Sequence, residues 1–476
     1  MLLMDSSFII YHSSLPEYIM QIINPATEEV LTNLDEDTST SLAAKFERLK
    51  AGQVAWRAVP LEQRIAVLKK FGALLQADVE TAAAILTSEV GKPLQQARNE
   101  VNGACGRINW LTDNAIKYLS EEVMTDTEGL TEKIVYEPLG VVCNISAWNY
   151  PYLVGVNVFV PALLAGNSCL YKPSEFATLT GLHIEKLLQQ AGVPDEVFQV
   201  GIGAKAVGEA LLELPFNGYF FTGSSKTGRY IYEKVAAKMV PCQLELGGKD
   251  PLYIADDVAD VAAVAAGTAD GAFYNNGQSC CAVERIYVHE KIYEAYVDAF
   301  VKEVKSYRLD APTAEGVYIG PLTRPAQLAF LEAQVQDALD KGARLLAGGH
   351  RADRKGYYFE PTVLVEANHE MDLMRAESFG PIIGIMRVKE DAEALALMQD
   401  TSYGLTAGVY TSSQARAEAI LAQLQTGTAY WNCCDRVSAP LPWSGRQQSG
   451  FGATLSHAGL RAFTQPKAYH LRRLQG

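Results

Sequence analysis

The sequence predicts an α/β protein built on parallel β-sheets, with two main domains. From Lys133 onward, short β-rich runs alternate with helical patterns such as those at 182–191 and 206–214. A second alternating series begins after Gly247 and Gly248, and such alternation is typical of parallel sheets. The 476 residues of the chain allow about three domains at roughly 150 residues each. We therefore expect two closely apposed α/β domains with a ligand cleft between them.

The N-terminal part of the chain predicts packed amphipathic helices. Between residues 41 and 110, apolar side chains such as Ile65, Leu68 and Phe71 recur every three to four residues, which is the spacing of one helix face. Before these helices, positions 1–20 contain no Lys or Arg, whereas a secretory or mitochondrial leader needs early positive charge. We expect residues 1–20 to form an irregular arm.

Composition excludes several classes of function. The chain has 55 acidic and 41 basic residues and a net charge of −14, which repels nucleic-acid phosphates and anionic lipids. Its most apolar stretch, at 153–166, is too short to cross a bilayer. Two pairs of the eight cysteines are immediate neighbours and the others lie far apart in the sequence, which argues against a disulfide framework. No C-x-x-C spacing occurs, which argues against a zinc site. We expect a protein of the reducing cytoplasm that uses no metal and binds neither nucleic acid nor membranes.

Two glycine-containing segments are candidates for phosphate binding. The segment FTGSSKTG at 221–228 follows an apolar strand and opens a helical pattern, so its backbone amides could receive a phosphate. Gly-Ser turns also connect strands to helices without any ligand, and on this segment alone the two interpretations are about equally favoured. Upstream, Gly201, Gly203 and Gly208 resemble a dinucleotide fingerprint, but the third glycine is two residues late for G-x-G-x-x-G. Dinucleotide binding through a glycine-first turn is therefore not supported.

Three polar side chains are candidates for catalysis. Cys280 follows a turn between a helix and a strand and could be a nucleophile, although an isolated cysteine is more often inert packing. Glu245 ends an apolar strand and could be a buried base or a solvated strand end. Asn149 could donate to an oxyanion or simply form a turn before Pro151. Only the combination of the three indicates a catalytic site.

A series of ordered motifs, from about Ile23 to about Leu471, resembles the aldehyde dehydrogenase superfamily. The members of this superfamily are NAD(P)-dependent enzymes that oxidise aldehydes to carboxylic acids. They bind the cofactor without a G-x-G-x-x-G turn, which accounts for the late glycine. The motifs are EPLGVV, WNYP, PALLAGNSCLYKPSE, FTGSSKTG, LELGGKDP, NNGQSCCA, ESFGPI, YGLTAGVY and PWSGRQQSGFG.

The resemblance implies a domain organisation and an assembly. It implies a homodimer or homotetramer with a small-molecule aldehyde as its substrate. The expected parts are a Rossmann-like NAD-binding domain at 20–115 and 139–247, an α/β catalytic domain at 248–450, and a small β oligomerisation arm at 116–138 and 460–476.

The resemblance also implies the catalytic roles. Cys280 would attack the aldehyde to form a thiohemiacetal, which collapses to a thioester, and Cys281 would be a bystander. Asn149 and the backbone amide of Cys280 would form the oxyanion hole. Glu245 would activate the water that releases the acid, and Lys172 would complete the catalytic set.

The cofactor residues follow from the same matches. Glu175 would accept from a free 2′-hydroxyl and repel a 2′-phosphate, so we predict a preference for NAD, with NADP possible as a second cofactor. The implied cofactor-binding residues are Ser146, Trp148, Lys172, Ser174, Glu175, Gly223, Ser224, Gly228, Leu246, Glu377 and Phe379.

The substrate follows less directly from the resemblance. The aromatic rings of Tyr150 and Trp443 resemble the walls of betaine and amino-aldehyde dehydrogenases, where rings face a cation. Succinate-semialdehyde and lactaldehyde dehydrogenases remain alternatives, as does a non-catalytic binding oligomer of the same fold. Arg436 could receive a carboxylate and Asp435 a cation, although we expect the two to neutralise each other at a surface turn. The implied substrate-lining residues are Tyr150, Asn157, Ser279, Asp435, Val437 and Trp443.

Overall fold

A computed structural model describes residues 19–473 of the chain. Most of the predicted irregular arm, residues 1–18, lies outside the described residues. The last two positions of that arm, Ile19 and Met20, begin a regular strand instead. Within residues 19–473, no helix is both long enough and apolar enough to cross a membrane.

The described chain begins with a hairpin and four helices. Strands β1 and β2 pair antiparallel, and the following helices confirm the amphipathic pattern predicted for 41–110. Leu68 and Phe71 are fully buried on the second helix. The elements are β1 (Ile19–Ile23), β2 (Val30–Asp35), α1 (Ser39–Ala58), α2 (Leu61–Ala77), α3 (Val79–Val90) and α4 (Leu94–Leu119).

A three-stranded antiparallel sheet follows. Strands β3 (Glu122–Thr127) and β4 (Leu130–Pro138) form a hairpin, and the C-terminal strand Thr464–Arg472 pairs with β4. These strands lie within the two segments that the resemblance assigns to an oligomerisation arm. An assembly role for this sheet stays a prediction.

A six-stranded sheet organises the middle of the chain. Five of its strands are parallel and are connected by helices, as the sequence predicts. Its elements are β5 (Val141–Ile145), α5 (Pro151–Ala165), β6 (Ser168–Lys172), α6 (Thr178–Ala191), β7 (Phe198–Val200), α7 (Lys205–Glu213), β8 (Gly218–Thr222), α8 (Ser225–Val235) and β9 (Cys242–Glu245).

A seven-stranded sheet follows directly, and all its neighbouring strands are parallel except β12 and β13. The chain crosses from one sheet to the other in the four residues 246–249. Its elements are β10 (Asp250–Ile254), α9 (Val261–Phe273), β11 (Val283–His289), α10 (Tyr293–Ser306), α11 (Pro325–Asp340), β12 (Arg344–Ala347), β13 (Thr362–Val365), β14 (Ile382–Val388), α12 (Asp391–Gln399), β15 (Thr406–Tyr410), α13 (Gln414–Leu421) and β16 (Thr428–Trp431).

The last elements return to the earlier sheets. Strand β17 (Gly450–Phe451) pairs antiparallel with β9 and completes the six-stranded sheet. Helix α14 (Ser456–Arg461) then leads into β18 (Thr464–Arg472) of the three-stranded sheet. The α/β class with parallel sheets is thus confirmed.

The topology brings the predicted site residues to one place. Strands β5, β6, β8 and β9 are parallel, so the residues at their carboxyl ends lie along one edge of the sheet, where α/β proteins bind ligands. Glu245 is the last residue of β9, and β10 and β11 begin the second sheet next to it. Cys280 lies three residues before β11. The candidate site therefore lies where the carboxyl edge of the six-stranded sheet meets the amino ends of β10 and β11.

Candidate active site

A tight turn presents the two adjacent thiols. Helix α9 ends at Phe273, and Asn275 and Asn276 both adopt left-handed backbone angles, with φ of 53° and 57°. Gly277 also has a positive φ, and a side chain there would collide with the carbonyl of Gly380. The turn places Cys280 in a half-buried position ahead of β11.

Hydrogen bonds from other elements hold this turn. The backbone N–H of Asn275 donates to Gln96 Oε1 on α4 at 3.0 Å. Asn276 Nδ2 donates to the Gly320 carbonyl at 2.9 Å, and Gln278 Oε1 accepts from the Thr323 N–H at 3.0 Å. The thiols are therefore fixed by contacts from two separate parts of the chain, α4 and the 320–323 segment.

The two thiols have different surroundings. Cys281 is 4% exposed, and its Sγ donates to Asp435 Oδ1 at 3.0 Å. The hydrogen bond to Cys280, burial and the charge of Asp435 raise the pKa of Cys281 well above its usual value. Since the thiolate is the reactive form, Cys281 is a poor nucleophile. The half-buried Cys280 is the better candidate.

Glu245 is buried beside the thiol turn. The residue is 7% exposed, and neither carboxylate oxygen has a hydrogen-bond partner within residues 19–473. Burial, followed by the charge of Cys280, raises the pKa of Glu245 well above its usual value. The reading of Glu245 as a solvated strand end is therefore wrong. A carboxyl group with a raised pKa near a cysteine is suited to act as a base.

Asn149 joins the thiol turn from the six-stranded sheet. It is 4% exposed, and its Nδ2 donates to the carbonyl of Gln278 at 3.1 Å. One N–H of its amide group remains for another acceptor. Among residues 19–473, the backbone N–H of Cys280 has no acceptor. Two donors are thus available close to the candidate nucleophile, as an oxyanion hole requires.

A buried ion pair holds the segment that carries Asn149, and the sequence patterns did not single it out. Lys92 and Glu100 form an ion pair with both side chains fully buried. Lys92 Nζ donates to the Asn149 carbonyl at 2.7 Å, and the Tyr152 N–H donates to Glu100 Oε1 at 2.9 Å. Lys92 also lies 3.7 Å from the ring centroid of Tyr150. Both ends of the 149–152 turn are therefore anchored to the start of α4.

The predicted cofactor residues lie along the carboxyl edge of the six-stranded sheet. Lys172 is 5% exposed and donates only to the Pro173 carbonyl, at 3.1 Å, within the described chain. Burial lowers its pKa and the Glu175 charge opposes this. Ser146 N–H donates to the Lys172 carbonyl at 3.0 Å, and Ser174 Oγ donates to Glu175 Oε2 at 3.1 Å.

Helix α8 contributes its N-terminus to the same edge. Ser224 Oγ caps the helix by accepting from the Thr227 N–H at 3.3 Å, and Gly223 precedes this cap. The other first-turn N–H groups of a helix have no intrahelical acceptor and can receive an anion. Gly228 packs so closely on Leu246 that any side chain would collide with it. This contact holds α8 against the segment that follows Glu245.

The segment 377–379 forms the opposite side of the cleft. Glu377 Oε1 accepts from the Gly248 N–H at 3.0 Å, and burial raises the pKa of Glu377 to about 8. The N–H of Phe379 donates to Glu284 Oε1 at 3.0 Å. The Phe379 ring meets the Trp148 ring edge-on, with 5.4 Å between centroids. These contacts bring residues of both sheets together.

Four of the predicted substrate residues lie close to the thiols, namely Ser279, Asp435, Val437 and Trp443. Trp443 is 7% exposed and belongs to an apolar cluster with Cys281 that Cys280 and Val437 also contact. Ser279 Oγ donates to Asp435 Oδ1 at 3.2 Å. Asp435 also lines a cavity of about 490 Å³ between α9 and the 432–436 segment.

The expected neutral pair of Asp435 and Arg436 is not formed. Asp435 accepts from Ser279 and Cys281 instead, and burial raises its pKa to about 6. Arg436 is exposed, and its carbonyl accepts from the Tyr430 hydroxyl. The two charges are separated because only the carboxylate turns towards the thiols.

Arg107 on α4 is a further site residue that the sequence patterns missed. Its Nη1 donates to Asn157 Oδ1 at 3.0 Å and to the Leu153 carbonyl at 3.3 Å. It follows Glu100 by seven residues, so the two lie on the same face of α4. That spacing is the signal that could have linked them.

The comparisons with known proteins agree with this geometry. The model of the aldehyde dehydrogenase family matches residues 11–469. The chain therefore belongs to the aldehyde dehydrogenase family, and the predicted class of NAD(P)-dependent aldehyde dehydrogenase is confirmed.

Relatives of known name and structure extend over almost the whole chain. It is 31% identical to a succinate-semialdehyde dehydrogenase [NADP(+)] of Deinococcus radiodurans, over 96% of this chain and 95% of that one. It is 33% identical to a betaine aldehyde dehydrogenase of Cereibacter sphaeroides, over 94% and 93%. The crystal structure of a succinate-semialdehyde dehydrogenase from Burkholderia pseudomallei matches with a TM-score of 0.93 and 31% identity, over 96% and 95%.

Proposed function

We propose that this enzyme oxidises its aldehyde with Cys280 as nucleophile and Glu245 as the base for hydrolysis. The observation that carries the proposal is the unpaired, buried carboxyl group of Glu245 next to Cys280. A buried carboxyl group without a hydrogen bond is costly to maintain. Its position beside a half-buried thiol is explained if it takes a proton from water during the reaction.

The first covalent step joins the thiol to the substrate. The thiolate of Cys280 attacks the aldehyde carbon, the new C–S bond replaces the C=O π bond, and the carbonyl oxygen becomes an alkoxide in a thiohemiacetal. The free N–H of the Asn149 amide and the backbone N–H of Cys280 are the donors proposed to stabilise this charge. Asn149 is held for this role through its own backbone carbonyl, which accepts from Lys92 and Asn275.

The residues along the sheet edge fit a dinucleotide. Lys172 is almost fully buried, yet its only acceptor in the described chain is a carbonyl, which leaves N–H groups for ribose hydroxyls. The α8 N-terminus after Ser224 offers amides for a pyrophosphate. When bound, NAD(P) supplies the acceptor for the hydride lost by the substrate. Trp148, Ser174, Gly223, Leu246, Glu377 and Phe379 complete the proposed cofactor set.

The second covalent step releases the acid. The thioester on Cys280 is attacked by water, one proton of the water passes to the Glu245 carboxylate, and the C–S bond breaks to return the Cys280 thiolate. Glu245 belongs to β9 of the six-stranded sheet and Cys280 to the turn before β11 of the other sheet. The proposal therefore divides the chain into a cofactor-binding unit at 20–115 and 139–247 and a catalytic unit at 248–450.

For the cofactor, the proposal is a preference for NAD over NADP. The Glu175 carboxylate adjoins Lys172 and would repel a 2′-phosphate. Steady-state kinetics with each dinucleotide test this, and an NADP specificity constant about tenfold above that for NAD contradicts it. Glu175→Gln should narrow the difference between the NAD and NADP specificity constants, because it removes the charge that repels the 2′-phosphate.

For assembly and location, the proposal is a cytoplasmic homodimer or homotetramer. The exposed apolar side chains of Val123 and Met124 on β3, and of Leu471 on β18, support burial of the three-stranded sheet by a partner subunit. All eight cysteines are free thiols, which fits a reducing compartment.

The direct test is a panel of aldehydes assayed with NAD. We expect NADH and the carboxylic acid to form in equal amounts, since water completes each turnover. Cys280→Ala should bind NAD with unchanged affinity and form no NADH. Formation of NADH without release of acid by the wild-type enzyme, or full activity of Cys280→Ala, would contradict the proposal.

A further inference from the structure

Arg107 presents a cation to the cleft around the thiols. Its Nη1 is bound to α5 through Asn157 Oδ1 and the Leu153 carbonyl. Helix α5 begins immediately after Tyr150, so the guanidinium adjoins the segment that carries Asn149. Burial lowers the pKa of Arg107 to about 10, and the nearby charges of Cys281, Glu100 and Cys280 oppose this shift. At neutral pH Arg107 is therefore positively charged and close to both thiols.

The guanidinium of Arg107 has donors without acceptors. Within residues 19–473, its Nε and Nη2 donate no hydrogen bond, and no carboxylate lies within 4.0 Å of it. These two nitrogens are not sealed from solvent, in contrast to Arg64 Nε. Arg285 shows the opposite arrangement, because it is fully buried and all three of its nitrogens donate to carbonyls or a hydroxyl. Arg285 is a structural arginine, whereas Arg107 keeps a free face towards the cleft.

The other charged groups of the cleft do not neutralise Arg107. Lys92 and Glu100 form their own pair. Asp435 accepts from Ser279 and Cys281. The carboxyl group of Glu245 is disfavoured as an anion, because burial raises its pKa well above the usual value. Asp435 and Arg107 are thus both charges without a counter-ion within 4.0 Å among the described residues, but Asp435 is already held by two donors, whereas Arg107 keeps unused donors.

An uncompensated cation in a partly buried cleft favours an anionic ligand. The ring of Tyr150 is less suited to a cationic substrate, since Lys92 already lies over it at 3.7 Å. We propose that Arg107 binds the distal carboxylate of the substrate, so that the preferred substrates are short aldehyde acids. This inference rests on the proposed function, because it assumes that the aldehyde is attacked at Cys280.

The test compares an aldehyde acid with a neutral molecule of the same shape. Succinate semialdehyde ends in a carboxylate, and 4-methylpentanal has an uncharged isopropyl group of similar shape in its place. The third substrate, 4-aminobutanal, is a cationic aldehyde. We expect the wild-type specificity constant for succinate semialdehyde to exceed those for the other two by about 30-fold or more, as for a charged hydrogen bond. Arg107→Gln should lower the specificity constant for succinate semialdehyde and so remove this preference. Its specificity constant for 4-methylpentanal should stay within about threefold of the wild-type value.

A matched control lies on the same helix. Arg98 is on α4 and pairs with Glu80 at the surface. Arg98→Gln should therefore leave the specificity constants for both aldehydes unchanged. Arg107→Lys should keep part of the preference because it keeps the charge. If Arg107→Gln does not fold, competitive inhibition of the wild-type enzyme by succinate, without inhibition by 4-methylpentanamide, supports the same conclusion.

The results separate this inference from the proposed function. Equal use of 4-methylpentanal and succinate semialdehyde by the wild-type enzyme, or an equal loss for both in Arg107→Gln, overturns the role of Arg107 and leaves aldehyde oxidation standing. Absence of NADH with every aldehyde contradicts the proposed function itself.

Discussion

Cys280 and Cys281 are chemically identical neighbours that the fold distinguishes. Cys281 is buried in the apolar cluster around Trp443 and donates to Asp435. Cys280 is half-buried and lies beside Glu245. The order of reactivity therefore follows from burial and hydrogen bonding.

A pair of substitutions tests this order. We expect Cys280→Ser to lower kcat by about 10⁴-fold or more, because the thiol nucleophile is lost. Cys281→Ser should keep kcat within about tenfold, since Cys281 only packs and donates. Steady-state kinetics with NAD and the best aldehyde of the panel provide both values. Loss of activity in Cys281→Ser together with activity in Cys280→Ser would reverse the assignment.

Glu245 should also set the pH dependence of acid release. Its pKa is raised by burial and by the charge of Cys280. The protonated carboxyl group cannot accept a proton from water, so deacylation should be slow at low pH and rise as pH increases through the raised pKa. Rapid-mixing measurements of acid release at a series of pH values follow this. A midpoint near the ordinary glutamate value of about 4 would contradict it.

At this scale the sequence already identifies the chemistry but not the environment. Cys280, Glu245 and Asn149 are recognisable from their motifs. The burial of Glu245 and the partners of Asp435 depend on residues far apart in the chain, such as Ser279 with Asp435. Local sequence patterns do not contain that information.

Between elements, the start of α4 supports the turn that carries Asn149. Lys92, two residues before this helix, donates to the Asn149 carbonyl, and Glu100 within the helix accepts from the Tyr152 N–H. The pair is fully buried, so each charge depends on the other. Removing one partner of such a pair costs more than removing both.

We therefore expect a specific order of stabilities in the Lys92 variants. Lys92→Met leaves Glu100 buried without a counter-charge and should destabilise the protein by about 3 kcal/mol. The double variant Lys92→Met with Glu100→Gln should recover part of this loss, because the amide oxygen still accepts from Tyr152. Thermal unfolding midpoints give the order. A double variant less stable than Lys92→Met would contradict it.

The elements themselves are largely predictable from the chain. The helical spacing at 41–110 and the strand–helix alternation both correspond to observed elements. The roles of Lys92 and Arg107 are not, because a charged residue in a helical pattern usually indicates a solvated face. Only the contact of Lys92 with the Asn149 carbonyl and that of Arg107 with α5 place them in the cleft.

For the whole molecule, the site depends on how two sheets meet. Lys172, Asn149 and Glu245 come from the six-stranded sheet, whereas Cys280 and Glu377 come from the seven-stranded unit. The hydrogen bond from Asn149 to Gln278 crosses this boundary. The bond from the Gly248 N–H, in the connection between the sheets, to Glu377 lies next to it. The active arrangement is therefore a property of the complete chain.

The three-stranded sheet provides a test of assembly. Met124 on β3 is 64% exposed and lies on the proposed interface, whereas Val54 on α1 is 69% exposed and lies outside it. We expect Met124→Lys to shift the protein towards smaller species in sedimentation velocity, because a charge would be buried on association. Val54→Lys should leave the distribution unchanged. A wild-type protein that sediments as a monomer would contradict the proposed assembly.

The central claim is that Glu245 completes a reaction begun at Cys280. The most direct measurement is a single-turnover experiment on Glu245→Gln with NAD and aldehyde, followed by mass spectrometry of the intact protein and its peptides. We predict a burst of NADH equal to the enzyme concentration and an acyl group on the peptide that contains Cys280. Steady turnover of Glu245→Gln at the wild-type rate, with no acyl group on Cys280, would contradict the claim.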